Sequence, residues 1–347
     1  RGDFKSENHF GNYAILLSFF PQIVAGHIEK SKNLLPQIKS AKRFDYERAK
    51  EGLLVIAGGL IKKIVIADRL AVVVNEIFNN VYDYNGIYLV IGIAMFSIQI
   101  YCDFSAYSDI AIGCAKIMGY NLMVNFKRPY FSKSIKEFWT RWHISLSTWF
   151  KEYLYIPLGG SRQSAHRTYI NLFIVFLVSG LWHGANWTFV IWGALHGLYQ
   201  IIGRGTKKYR NRLSEAFDIN QDAFSHKLIS IMLVNLLVSF AWIFFRANTI
   251  SEALYIIGNI SLSGIGDFVA SGYLNLGLDK YDIFIVTAST MMLLMVDAIS
   301  EKRNLLKGIM NENSWFRWIL YISLIYIIIL FGFYGGYDAA DFIYFQF

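Results

Sequence analysis

Long apolar stretches separated by short basic connections constrain this chain more than anything else in it. They run near residues 10–26, 52–74, 86–118, 169–182, 187–202, 228–245, 283–299 and 318–334. A helix needs about 20 apolar residues to cross the roughly 30 Å hydrocarbon core of a bilayer, and most of these stretches approach that length. In lipid every backbone N–H and C=O must find a partner within the protein, so a crossing segment is either a helix or a strand of a closed barrel. The alternating ten-residue pattern of barrel strands is missing, and only four prolines interrupt the chain. The expected fold class is therefore all-α: a polytopic integral membrane protein with about eight to ten spanning or re-entrant helices plus interfacial amphipathic helices. No internal repeat or low-complexity tract divides the sequence, so residues 1–347 read as a single membrane domain.

Composition supports this solvent assignment. Of 347 residues 55% are hydrophobic, 17% aromatic and only 17% charged, outside the range of soluble globular proteins. The net charge of +8 is concentrated in the connections 30–50, 127–162, 204–212 and 302–317. By the positive-inside rule those connections face the cytoplasm, while the segment around Asp83 and the tail with Asp338 and Asp341 face outward. Charge distributed this way serves topology and is no footprint for nucleic acid. Cys102 and Cys114 lie along an apolar stretch and make neither a disulfide framework nor a zinc spacing. Lys62, Lys63, Asp68 and Arg69 interrupt the 52–74 stretch, which is expected to be a broken or interfacial pair of helices.

Two Trp-His pairs, Trp142-His143 and Trp182-His183, stand out against this background. The segment EFWTRWHISLSTWFKEYL, residues 137–154, reads as one amphipathic helix with Trp139, Trp142, His143, Leu146, Trp149, Phe150 and Tyr153 on a single stripe. Arg141, Ser145, Thr148 and Glu152 fall on the other side, as suits a helix at the membrane surface. His183 lies in SGLWHGANW, between two stretches that form a hairpin with the histidine close to its turn. Fourteen helical residues from Tyr169 carry the chain roughly 21 Å inward, so His183 is expected inside the membrane profile or at the floor of an indentation from the outer side.

An ionisable ring at that depth is costly, which points to a task. A neutral imidazole can take a proton from a hydroxyl and return it, help worth about 10²- to 10⁴-fold in rate, and acyl transfer is the chemistry that most needs it. Gly180 and Gly184 are expected to permit tight turns and close backbone approach, and Asn186 can hydrogen-bond a neighbour. The plain alternatives are a core histidine at 143 and a helix-capping histidine at 183. His196 does not have the spacing of a metal ligand, no zinc or iron site is indicated, and packing against the hairpin partner is its default role. Asp103 and Asp109 are expected to satisfy backbone or Arg partners, with lining a polar passage as the alternative. The turn Gly159-Gly160-Ser161-Arg162 lacks the ending of a phosphate loop.

Three segments carry a resemblance: NFKRPY at 125–130, EFWTRWHISLSTWFKEYLYIPLGGSR at 137–162 and LWHGANWTFVIWGALHG at 181–197. With Phe20-Pro21-Gln22 near the start and the ending FIYFQF at 342–347, they resemble the membrane-bound O-acyltransferases. The resemblance is to the branch of the alginate O-acetylation protein and the peptidoglycan O-acetyltransferases. It implies that His183 is catalytic and His143 a second active-site residue. It also implies that no cofactor is held permanently and that acetyl-CoA is the donor. The acetyl group would cross the bacterial inner membrane to an extracytoplasmic SGNH-type partner or to a polysaccharide. Arg141, Lys151, Asn186 and Trp182 are weaker candidates for substrate contacts, and the basic segment 127–162 suits either a polyanionic donor or lipid headgroups. Two departures accompany the resemblance. His27 stands where the family commonly has proline, and the family's N-terminal helices are not in this sequence, which suggests a piece of a longer chain. The alternatives are D-alanyl transfer to teichoic acid and a non-enzymatic membrane transporter.

Overall fold

The computed structural model describes residues 7–21, 29–270 and 276–334. Gln22, His27 and the tail with Asp338, Asp341 and FIYFQF lie outside the described residues. Among the described residues the chain is helical and contains no strand. In chain order the helices are α1 (Phe10–Ser18), α2 (Ser31–Lys39), α3 (Tyr46–Leu60), α4 (Asp68–Asn79), α5 (Ile87–Ile117), α6 (Ile135–Arg141), α7 (Ile144–Phe150) and α8 (Ala165–His183). They continue with α9 (Trp187–Gly205), α10 (Lys207–Ala216), α11 (Phe224–Arg246), α12 (Ile250–Asn259), α13 (Ile265–Ala270), α14 (Lys280–Ser300), α15 (Leu305–Met310) and α16 (Ser314–Phe331).

Four helices, α5, α11, α14 and α16, are long and apolar enough to cross a membrane. The remaining described helices are shorter or more polar, so the expectation of eight to ten is met only in its helical character. Exposed apolar side chains cover α14 and α16, including Phe284, Met291, Met295, Ile322, Ile325 and Ile329. Apolar faces of this extent suit acyl chains rather than water.

Two compact units divide the described residues. The first contains the residues up to Arg69, Ile100–Phe126 and the chain from Phe284 on; the second contains Leu70–Gln99 and Lys127–Ile283. In the first, α3 does not break at its lysines. It continues through a π-helical stretch, Ile61–Ala67, directly into α4. The expected interruption is absent because the charges find partners. Lys62 pairs with Asp109 at 2.5 Å and donates to Ser105 Oγ at 2.9 Å. Lys63 bridges Asp68 at 2.8 Å and Asp103 at 2.9 Å. Arg69, buried, donates to the carbonyls of Val65 and Phe331, and Tyr101 Oη donates to Asp297 at 2.8 Å. Asp103 and Asp109 thus have internal partners, but these are lysines and not the backbone or Arg groups expected.

The second unit is organised around the hairpin of α8 and α9. Ser164 caps α8 by accepting the Arg167 N–H, and Asn186 caps α9 by accepting the Thr188 N–H. The two helices approach closely because glycines face backbone. A Cβ on Gly180 would lie 2.3 Å from the Phe189 carbonyl oxygen, and one on Gly193 would lie 2.3 Å from that of Phe176. Of the two roles expected of Gly180 and Gly184, close backbone approach holds at Gly180, inside α8, while Gly184 follows the helix in extended conformation, with φ 169° and ψ 155°. Gly180 serves helix approach, and Gly184 makes room for the Phe189 ring.

Candidate functional site

The segment 137–154 is not the single helix its periodicity predicts. Helix α6, capped by Ser134, ends at Arg141, and α7 begins at Ile144. Between them His143 adopts a left-handed conformation with φ 42° and ψ 57°. A non-glycine residue held there costs energy that the surroundings must supply. They do so through the rings: Trp142, 3% exposed, stacks on Phe138 at 5.5 Å and packs against Trp242 at 5.2 Å. The buried imidazole of His143 lies with Nδ1 3.4 Å from Ser145 Oγ. The stripe's inward direction holds for Trp142, His143, Leu146 and Phe150, all buried, whereas Tyr153 is exposed.

After α7 the chain widens into a π-turn, Lys151–Tyr155, and then makes a turn at Gly159 and Gly160 with φ 104° and 56°. Only glycine adopts such angles freely. Asn171 of α8 fastens this turn, donating from Nδ2 to the carbonyls of Leu158 and Gly160.

His183 closes α8 at the hairpin turn and is half-buried. Its ring meets Trp192 edge-on at 5.1 Å and Phe245 at 5.3 Å. Phe245 in turn packs on Trp242 at 5.2 Å, and Trp242 packs on Trp142. One continuous aromatic wall therefore links His183 to Trp142, one member of each Trp-His pair. Trp182 itself points away from that wall: it is 53% exposed and packs on Trp149 and Phe150.

His196, fully buried, belongs to the same wall. Its Nδ1 accepts the indole N–H of Trp139 at 3.2 Å, so the neutral ring carries its proton on Nε2. That Nε2 has no hydrogen-bond partner, and neither do Nε1 of Trp192 and Nε1 of Trp242. The three rings lie within 5.1–6.4 Å of one another. Buried donors left unpaired are uncommon and mark a site by their cost.

The other predicted residues scatter. Arg141 pairs with Glu137 at 2.7 Å and reaches towards the carbonyls of Lys127 and Arg128. Lys151 is exposed on the π-turn. Asn186 caps α9 and donates from Nδ2 to the Asn248 carbonyl at 3.0 Å. Among the described residues, no three His, Cys, Asp or Glu side chains gather as metal ligands.

Sequence reasoning missed a polar cavity of about 410 Å³ beside this wall, lined by Asn75, Asn79, Asn186, Thr188, Phe189, Phe245, Arg246, Ala247 and Asn248. Its one legible signal was Arg246, a charge closing an apolar stretch.

Residues 5–245 match the sequence model of the membrane-bound O-acyltransferase family, and the chain belongs to that family. Among its relatives, the peptidoglycan O-acetyltransferase of Helicobacter pylori is 39% identical over 76% of this chain and 49% of its own length. A probable alginate O-acetylase of Pseudomonas putida is 39% identical over 78% of this chain and 53% of its own. A teichoic acid D-alanyltransferase of Bacillus subtilis is 28% identical over 55% of this chain and 52% of its own. The chain thus spans about half the length of the curated relatives it matches.

Proposed function

We propose that this chain carries the reaction site of a membrane O-acetyltransferase that modifies an extracytoplasmic polysaccharide of the alginate or peptidoglycan kind. His183 acts as general base. The observation that carries this reading is the position of its imidazole, half-buried at a hairpin turn against Trp192 and Phe245. The higher identity to the acetylating relatives, 39% against 28%, favours acetyl over D-alanyl transfer.

In the reaction a ring nitrogen of His183 takes the proton of an acceptor hydroxyl as that oxygen attacks the acetyl carbonyl of a thioester, with acetyl-CoA on the cytoplasmic side as donor. Collapse of the tetrahedral intermediate breaks the carbon–sulfur bond. The thiolate leaves and recovers the proton from the imidazolium, so His183 returns neutral. His143 orients a substrate or shares the proton from its left-handed position beneath the aromatic wall. Acceptance of the acetyl group by an SGNH-type partner or by the polymer itself completes the transfer outside, from a protein resident in the bacterial inner membrane.

The deciding experiment uses the full-length protein in lipid with labelled acetyl-CoA and an extracytoplasmic acceptor. His183→Ala should lower transfer by about 10²- to 10⁴-fold while membrane insertion is unchanged. Wild-type transfer by that variant overturns the assignment. A transporter, by contrast, would leave the donor unconsumed.

A further inference from the structure

Helix α10 leaves its apolar side uncovered, since none of its ten residues is buried. At about 100° per residue, Tyr209, Leu213, Ala216 and, one position past the helix, Phe217 form a single apolar stripe. Tyr209, Leu213 and Phe217 are each more than half exposed. Arg212 and Arg210 fall on the two edges of that stripe, with Lys208 beyond the one and Lys207 beyond the other. Glu215, the single acidic residue of the helix, falls on the opposite side with Asn211.

The charges on those edges are not neutralised within the chain. Among the described residues none of Arg204, Lys207, Lys208, Arg210 and Arg212 forms an ion pair. Arg210 Nη2 donates to the Gly203 carbonyl at 2.8 Å, which holds the side chain against the end of α9 and leaves its charge in place. The helix follows α9 after Thr206 alone and precedes α11, one of the helices long and apolar enough to cross a membrane. The first turns of α11 also carry exposed apolar side chains, Phe224, Ile229 and Met232. A stripe with cationic edges beside such a helix is the pattern of a segment lying in the headgroup region. Its apolar side chains reach the acyl boundary while the long Arg and Lys stems bring their charges up to the headgroups. An apolar groove on another protein would accept the stripe and has no use for basic residues on both of its edges.

We propose that α10 is a docking surface for anionic phospholipid of the phosphatidylglycerol class. The helix lies along the bilayer surface, with Tyr209, Leu213 and Phe217 at the acyl boundary and Arg210 and Arg212 on the anionic headgroups. The site is independent of the acetyl-transfer reading. It lies at the end of α9 opposite Trp192, the residue that meets the His183 ring, and so anchors the hairpin at its far end.

Photo-crosslinking of the full-length protein in vesicles of equimolar phosphatidylglycerol and phosphatidylcholine tests this, with a benzophenone-bearing phenylalanine analogue in place of Tyr209. Crosslinks should fall on lipid and favour phosphatidylglycerol about fivefold or more, the factor expected for even one basic side chain at an anionic surface. Arg210→Gln combined with Arg212→Gln should lower that ratio about threefold or more. If the double variant fails to fold, the otherwise unaltered chain decides: in about 1 M salt, where charges are screened beyond about 3 Å, the ratio must fall by the same factor. The probe moved to Asn211, on the opposite side of the helix, should capture little lipid. Equal labelling of the two lipids overturns the proposal, as does a smaller fall on removing or screening the charges. Lipid capture at Asn211 equal to that at Tyr209 overturns it, and so do crosslinks to a second copy of this chain in place of lipid.

Discussion

The two compact units solve one problem in opposite ways. Both carry polar groups among apolar helices. The first pairs them: Lys62 with Asp109, Lys63 with Asp68 and Asp103, Tyr101 with Asp297. The second surrounds its histidines with rings and leaves the outer N–H groups of Trp192, Trp242 and His196 and the Thr188 hydroxyl without partners. Paired charges hold a fold together and are costly to disturb singly. Unpaired buried donors, by contrast, cost the fold about 1–3 kcal/mol each. If the function proposed above holds, the contrast sets residues that serve architecture against residues that serve chemistry.

Single substitutions can break this contrast. The largest effect on activity belongs to His183→Ala, for which transfer should fall about 10²- to 10⁴-fold with no change in unfolding. A fall in thermal stability matching the loss of activity would place His183 with the architectural residues. Lys63→Met should do the reverse. It strands Asp68 and Asp103, and should lower stability by about 3 kcal/mol, with activity following only as the fold is lost. Adding Asp103→Leu should recover part of that loss, and a double variant no better than the single would argue against the pair.

A smaller effect is expected at the hairpin. Gly193→Val drives a side chain into the Phe176 carbonyl and should cost about 1–3 kcal/mol by forcing α8 and α9 apart. Activity should fall as well, because the turn holding His183 moves. An unaltered unfolding midpoint would show that the two helices do not need this approach. Trp139→Phe should have the mildest effect. It removes the donor to His196 Nδ1 at a cost of about 1 kcal/mol and frees the His196 tautomer. Nitrogen-15 shifts of the imidazole should then report a mixture, and an unshifted Nε2–H tautomer would show that the Trp139 contact does not set it.

Much of this was legible from residues. The helical character followed from the apolar stretches, the hairpin from their spacing, and the burial of His143 and Trp142 from periodicity. The same periodicity misled between 137 and 154, because it registers which side chains turn inward and is blind to a single residue entering the left-handed region. Lys62 and Lys63 were misread for a related reason. A charge in an apolar run looks like a break until a partner is found, and Asp109 stands 47 positions away from Lys62. The cavity stayed hidden since Asn75 and Arg246, 171 positions apart, look like ordinary loop and helix-end residues.

The sequence alone determined the solvent, the helices and the family, since apolarity, period and motif are local and survive without knowledge of packing. Tertiary structure decided which charges cancel, which donors are left over, and that His183 and Trp142 meet one aromatic wall. Those outcomes depend on distances between helices, and distance across a fold is set by side-chain packing that no single stretch of chain contains.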